Sequence, residues 1–597
     1  MESLKPLSLS IESPYMQRVF QITKQGFITS SFLSLPSQTR LIHCPTDSEG
    51  MVTINNTEFS LGREELTSFK YSGHNKSGLE DGGTRLEVAF AAPEPLRKGL
   101  TVTLIYEASG AAPVLTKRIR IDNFSSLAVK LDHIRVEAIT PDDQREASLI
   151  FENDFVRGAM VKESGDVNSP WIEKQTKYVE DLLTVKKALT SFQYPHNLDR
   201  WLVSGESFQS FQVYEFAVSN RNEERRGMEY RRATRALMPW TAERFFSCMI
   251  APATNIKELY NGILLAAEVG YEGVILTHGW INGVLTSPIF ATYADYHPRE
   301  DLFPNGWEDV RKLTDYAHTV GLKIAFYNIY VSIWDDMGSK AVADHQWELV
   351  WAADDDSMRW GKTLCPGSDW GPQVNFKIEE AVKTGGFDGY LLDGPYYGDV
   401  CTNPGHAHQA GGPSQALSWQ RQVELYERMY AQGFYSCSAQ GFCAFAHGVN
   451  RVATSGYEEG EFGSLTTWDQ ILSTRKGAYE FTKVYRPEQG EYYIPLVPWL
   501  GGPSLEPLEE HTREYNAFLA NCFGYGFEGT VFQHVPYDGP VSQGIINRWL
   551  SFWKKNAEFF KKGDLVHVRK PDGEGLDAVM HVLTADNQME ALLVVYN

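Results

Sequence analysis

The stretch Gly386-Phe387-Asp388-Gly389-Tyr390-Leu391-Leu392-Asp393-Gly394 reads as a short apolar strand that ends in a carboxylate followed by a glycine. At the carboxyl end of a parallel barrel strand, such a side chain is aimed into a shared pocket. About 60 residues later, Arg451-Val452-Ala453-Thr454-Ser455-Gly456-Tyr457-Glu458-Glu459-Gly460-Glu461 delivers glutamates after a second such run. Carboxylates brought from two strand ends can divide nucleophilic attack and proton transfer between them, the pairing that cleaves a glycosidic bond. Asp393 is the nucleophile candidate. Glu458 and Glu459 compete for general acid/base, because neighbours on an extended chain cannot share one inward direction, and Glu461 is a third option.

The other predicted strand ends furnish the rest of a pocket. They contribute His278 and Trp280, Tyr327 and Asn328, Tyr396, Cys437 and Gln440, Trp499, and His534. Aromatic faces suit the C–H faces of sugar rings, while amides, hydroxyls and imidazoles suit sugar hydroxyls. This set is read as substrate-binding.

Those ends belong to a repeating pattern. After Met238-Pro239-Trp240, apolar strands are predicted at 246–250, 273–278, 322–327, 389–392, 433–438, 451–455, 492–498 and 529–534. Amphipathic helices are predicted among them, for example at 256–269, 307–320, 372–384, 414–431, 470–484, 509–523 and 545–560. Eight strand–helix units predict a (β/α)8 TIM barrel with enlarged loops. A doubly wound sheet lacks support, since no glycine-rich phosphate loop follows any strand.

Residues 1–240 predict an N-terminal β-sandwich with few helices. Arg85-Leu86-Glu87-Val88-Ala89-Phe90 and 117–122 alternate with period two, and 207–218 is a further strand candidate. The alternation of Val129 and Leu131 changes phase to Ile134, Val136 and Ala138, which predicts a bulge near His133. The expected division is therefore 1–240 sandwich, 241–562 catalytic barrel and 563–597 a short C-terminal β segment docked on the barrel.

Composition narrows the partners. A formal net charge of −21 argues against nucleic acid and against an anionic membrane surface. No stretch of about 18 apolar residues marks a membrane span. Seven scattered cysteines and a start without a basic-plus-apolar leader favour a cytoplasmic protein. The expected partner is an oligosaccharide or glycoside, and a homo-oligomer is compatible with the sequence. Cys401, His406 and His408, with Cys437 as a candidate fourth, carry ligand-capable groups. Their spacing matches no closed zinc module, so they are read as a polar loop. Neither a metal nor a cofactor is expected, because carboxylates supply acid, base and nucleophile.

The order of elements resembles the clan D glycoside hydrolases, particularly the α-galactosidase and raffinose-synthase family, over nearly the whole chain. Gly321-Leu322-Lys323-Ile324-Ala325-Phe326 looks like that family's third strand. Leu364-Cys365-Pro366-Gly367 through Asp393 looks like its approach to the nucleophile, and Tyr435-Ser436-Cys437-Ser438 is similar to its Glu-Ser-Cys-Ser segment. The resemblance implies a retaining α-glycosidase acting by double displacement on a galactose-like or N-acetylgalactosamine-like sugar. Three departures qualify it. Gly456 stands where the family has its acid/base Asp, which passes that role to Glu458 or Glu459. Leu391 replaces a sugar-contacting lysine, and Thr277 and His278 replace paired aspartates. A transglycosylase of the same clan and a non-catalytic carbohydrate-binding protein are the rival readings.

Overall fold

The computed structural model describes residues 7–597 except 64–67, 94–98, 143–145, 156–179, 181, 185–188, 195–196, 220, 244, 251–254, 277–279, 281–295, 330–331, 334–361, 394–399, 409–412, 439–443, 453, 456, 459–467, 490–491, 496–504, 528–530 and 586–587. The chain divides into two compact units, the first chiefly from residues up to Leu237 and the second chiefly from Met238 onward.

The first unit is built from three antiparallel sheets of four, seven and five strands. The predicted alternating runs lie in Thr84–Ala91 and Val114–Asn123, and over 85–90 and 117–122 every second side chain is buried. The bulge near His133 is present: strand Val129–Ile139 shifts register between Leu131 and His133, which turns Ile134 and Val136 inward after Val129 and Leu131. Phe20 of the four-stranded sheet packs 4.7 Å from Tyr106 of the seven-stranded sheet, and Phe27 packs 5.5 Å from Phe90.

At the centre of this apolar layer lies a cluster of charges. Arg18 donates to Glu215, Glu49 and Glu137 at 3.0, 2.7 and 3.1 Å, and Lys117 donates to Glu49 and Glu137 at 3.0 and 2.9 Å, with all five side chains fully buried. Burial, together with the neighbouring Glu137, pushes the Glu215 carboxyl up to about 8. Glu215 therefore binds its proton more tightly than an exposed glutamate does. Burial likewise pushes Asp154 up to about 7. A carboxyl that binds its proton more tightly when folded contributes stability that is present below its ordinary pKa and lost as pH rises through the folded value. The melting temperature should accordingly fall as pH rises from about 5 to about 9. Glu215→Gln, which fixes the neutral form, should flatten that fall and leave the Asp154 share. A melting profile as steep as the wild type's would refute the assignment.

Two features of this unit depart from expectation. Residues 207–218 are not one strand but two, Glu206–Gln209 and Val213–Ser219, both paired with Val114–Asn123. Ser210 causes the break, because its backbone N–H and hydroxyl both engage Ile119. Residues Glu223–Leu237 form a helix whose buried face is Gly227, Tyr230, Arg231, Ala233 and Thr234. Its spacing is helical, but its composition is not apolar, so hydrophobic periodicity passes over it.

The second unit contains a parallel sheet of nine strands. In chain order these are β1 (Ser247–Ile250), β2 (Gly273–Leu276), β3 (Lys323–Ile329), β4 (Gly389–Asp393), β5 (Tyr435–Ser438), β6 (Thr454–Ser455), β7 (Tyr457–Glu458), β8 (Tyr492–Pro495) and β9 (Val531–Gln533). Their spatial order is β6-β5-β4-β3-β2-β1-β9-β8-β7, so the two ends of the path are separated in sequence by residue 456 alone. Each of the eight predicted ranges overlaps one of these strands, the sixth only as β6, and β7 lies beyond any predicted range.

Helices α1 (Ile256–Val269), α2 (Trp307–Thr319), α3 (Trp370–Gly385) and α4 (Pro413–Ala431) fall where the apolar spacing places them. Asn255 caps α1 through the N–H groups of Lys257 and Glu258. Gly386, at φ 74°, closes α3 in a left-handed turn that a side chain would strain, and so aims the chain into β4. The sixth strand is shorter than predicted, since backbone bonds from Arg451 and Val452 back to Gly448 and His447 consume its start. The predicted 509–523 helix starts at Thr512, after a separate turn at Leu508–Glu510, and the 545–560 pattern covers Pro540–Lys555 and a further short helix, Ala557–Lys562.

The C-terminal strands Asp564–Arg569, Asp577–Ala585 and Gln588–Tyr596 form an antiparallel sheet of their own. They dock on the helices of this unit: Asp577 pairs with Arg475 at 3.2 Å, His567 lies 2.9 Å from the Thr482 hydroxyl, and the Tyr596 hydroxyl donates to the Ala520 carbonyl at 3.3 Å. Among the described residues, no helix is long and apolar enough to cross a membrane.

Candidate functional site

The glycine–carboxylate motif resolves into separate jobs. Asp388 is structural: its carboxylate accepts the Ile324 N–H at 2.8 Å and lies 2.9 Å from the His318 ring, which ties α2 and β3 to the start of β4. Burial of Phe387, Tyr390, Leu391 and Leu392 fixes the strand between its neighbours. Asp393 is the last residue of β4 and pairs with Ile329 at the end of β3.

The sheet register sets the level of the other candidate strand. Leu392 pairs with Ser438, and Ser438 pairs with Ser455. Leu392 of β4 and Ser455 of β6 therefore stand at the same level, two strands apart, or about 10 Å between backbones at the usual strand spacing. Arg451 enters this region stacked 3.8 Å from the Trp240 ring and 5.1 Å from Tyr430, and the Trp240 indole N–H donates to Gly448 at 2.8 Å. That contact anchors the chain just before β6. The side chains of Asp393 and Glu458, and the whole of Glu459, Glu461, His278, Tyr396, Gln440 and Trp499, lie outside the described residues.

The remaining predicted contacts separate into two groups. Tyr327 pairs with Leu391, and Cys437 pairs with both Leu391 and Thr454, so both share the register parity of residue 393. Asn328 has the other parity, that of Phe326. It is fully buried, and its side-chain oxygen accepts the Tyr296 hydroxyl at 2.5 Å. Its amide N–H group has no hydrogen-bond partner among the described residues.

Trp280 departs from its predicted role. It is 2% exposed and packs 5.0 Å from Phe326, 5.2 Å from Phe387 and 6.0 Å from Trp307. Its ring is core, because the apolar side chains at the starts of α2 and β4 enclose it before a sugar could. His534 follows β9 and is half-exposed. Its Nδ1 lies 2.9 Å from Glu506, which raises the imidazole above its ordinary pKa.

A group that sequence spacing dismissed is brought together by the fold. Cys365, Cys401, His406 and His408 present ligand atoms that all lie within 4.8 Å of one another. The fourth member is Cys365, not Cys437 as the sequence suggested. Cys437 is held in β5, while Cys365 lies in the turn before α3. Thirty-five residues separate Cys365 from Cys401, so no compact motif announces the group.

A cavity of about 400 Å³ lined by Tyr15, Ser34, Glu146, Glu229 and Arg232 lies in the first unit and includes no predicted site residue.

Comparison with known proteins places this geometry. No protein-family profile and no curated protein matches the chain. Solved structures do. An α-galactosidase of glycoside hydrolase family 36 from Geobacillus stearothermophilus, AgaA in complex with 1-deoxygalactonojirimycin, superposes with a TM-score of 0.67 at 15% identity, covering 99% of this chain and 91% of that one. The α-galactosidase of Lactobacillus brevis gives 0.69 at 13%, covering 99% and 89%. The galactosidase domain of the α-galactosidase–sucrose kinase AgaSK gives 0.65 at 12%, covering 98% and 90%. The fold is that of the family 36 α-galactosidases. The resemblance read from the sequence thus holds for architecture across the chain. Other AgaA variants in this set were crystallised with raffinose and with stachyose.

Proposed function

We propose that this protein is a retaining α-glycoside hydrolase acting on a galactose-like or N-acetylgalactosamine-like sugar, with the nine-strand path closing through residue 456 into a (β/α)8 barrel. The division into a 1–240 sandwich, a 241–562 catalytic barrel and a 563–597 β segment belongs to this reading. The observation that carries it is the register that ends β4 and β6 at one level, two strands apart. In this reading the carboxyls that follow those two strand ends meet across one sugar ring, where glycosidase pairs stand about 5–10 Å apart. Likeness of the whole fold to α-galactosidases supports the same chemistry.

Asp393 attacks the anomeric carbon as the leaving oxygen takes a proton from Glu458 or Glu459. The same glutamate then removes a proton from the water that releases the sugar. A proton donor of this kind needs a raised pKa, which burial or a nearby carboxylate supplies. Tyr327 and Cys437 share the register parity of residue 393 and are assigned to the sugar's side of the sheet, as are His278, Tyr396, Gln440 and Trp499 from the strand ends.

A panel of aryl α-glycosides (galactoside, N-acetylgalactosaminide and glucoside) identifies the sugar, and a matching fluorosugar with peptide mapping should label Asp393. Glu458→Ala and Glu459→Ala then separate the two glutamates. The acid/base variant should lose about 100-fold or more on a poor leaving group, retain activity on a dinitrophenyl glycoside and recover with azide. Indifference of both variants would reject this pair.

Gly456, in the place of the related enzymes' acid/base Asp, favours one other reading: a carbohydrate-binding protein without turnover. Binding of sugar with no hydrolysis and no fluorosugar adduct would select it. Product analysis with an acceptor sugar present would reveal a transglycosylase.

A further inference from the structure

We propose that Cys365, Cys401, His406 and His408 form a closed tetrahedral site for a zinc ion that staples the turn before α3 to the segment between β4 and α4. Cys365 Sγ lies 3.2 Å from His408 Nε2, Cys401 Sγ lies 3.4 Å from His406 Nδ1, and His406 Nδ1 lies 3.1 Å from His408 Nε2. Zinc bonds of about 2.3 Å to sulfur and about 2.0–2.1 Å to nitrogen at tetrahedral angles put paired ligands about 3.3–3.8 Å apart. The four ligand atoms, all within 4.8 Å of one another, are thus gathered close to the edges of a zinc tetrahedron. Two thiols and two imidazoles suit zinc rather than calcium or magnesium, which take oxygen. Four protein ligands with no open position mark a structural ion, not a catalytic one.

The surroundings hold these four groups in place. Both cysteines are fully buried. The turn Cys365-Pro366-Gly367-Ser368 curls around the first sulfur, with the Ser368 hydroxyl donating to the Cys365 carbonyl at 2.6 Å. A Cβ at Gly367 would sit 2.9 Å from the His408 ring, so a side chain there would push that imidazole away from its present position. The Cys401 N–H donates to the Ser414 hydroxyl at 2.7 Å, which fixes the second sulfur to α4. Asn403 lies 3.2 Å from the other nitrogen of His406, the position from which outer groups orient a metal-bound imidazole. When zinc binds, each thiol gives its proton to solvent and each imidazole binds as the neutral ring.

Cys401 is eight residues beyond Asp393, so the ion would brace the chain that leaves the nucleophile strand. The proposal stands on the geometry of these four residues and not on glycosidase activity, and either can fail alone.

The test uses the full chain without a polyhistidine tag, purified without chelator and assayed for metal by mass spectrometry. About one zinc per chain is expected, falling to about zero in Cys365→Ser and in His408→Ala. Where a variant does not fold, two measurements on the wild type decide. A mercurial titration should release zinc in step with two thiols. Cobalt-loaded protein should show thiolate-to-cobalt charge transfer with the intense visible bands of a tetrahedral ion. Metal-free protein that takes up neither Zn2+ nor Co2+, a Cys365–Cys401 disulfide in non-reducing peptide maps, or full zinc content in folded variants would overturn the proposal.

Discussion

Asp393→Ala is expected to lower turnover of the best aryl α-glycoside by about 1,000-fold or more, with the melting temperature unchanged. A group that forms the covalent intermediate takes part only in the chemistry, so its loss appears in kcat rather than in stability. The residue ends its strand and lies beyond the packed stretch from Tyr390 to Leu392, so truncation leaves the core intact. Azide or formate should restore part of the turnover by taking the carboxylate's place. Retention of more than about a tenth of wild-type activity would remove Asp393 from the mechanism, since loss of a nucleophile costs orders of magnitude.

The largest stability effect is expected in the first unit. Arg18→Ala should cost about 3–5 kcal/mol in denaturant unfolding, because it leaves three buried glutamates to share the single cation of Lys117. Arg18 binds three glutamates in a layer closed by Phe20, Phe32 and Tyr106, whose rings lie 5.1–5.7 Å from its guanidinium. No water can replace it there without opening the packing. Arg85, which spans Glu87 and Glu107 with 29% of its side chain exposed, is the control. Arg85→Ala should cost about 0–1 kcal/mol, as partly exposed pairs do. Equal costs for the two substitutions would show that the cluster is no more than a surface ion pair moved inside.

Where local chemistry settled the matter, the sequence was readable. The β4 strand could be seen because Phe387, Tyr390, Leu391 and Leu392 are apolar and bounded by glycine, and α1 because its apolar residues recur with helical spacing. The slip near His133 showed as a change of alternating phase. The helix Glu223–Leu237 was not readable, because its inward face carries Gly, Arg and Thr. The break at Ser210 was hidden too, since a single hydroxyl bonding across to Ile119 leaves no mark on hydrophobicity.

At the candidate site the division is sharper. That β4 ends at Asp393 was legible from an apolar run closed by a carboxylate and a glycine. Trp280 was misread, because an aromatic near a strand end looks the same whether it faces a ligand or Phe326 and Phe387. The four-ligand cluster was dismissed for want of a compact spacing, and Cys365 was not counted in it at all.

The sequence by itself determined the order of strands and helices, since alternation and helical periodicity are local consequences of which side chains leave water. It also determined which carboxylate ends β4. Only the tertiary structure decided which distant groups meet: Arg18 with Glu215 across two sheets, and Cys365 with His408 across a helix and a strand. Such meetings depend on register and packing between elements, and no local pattern of residues records them.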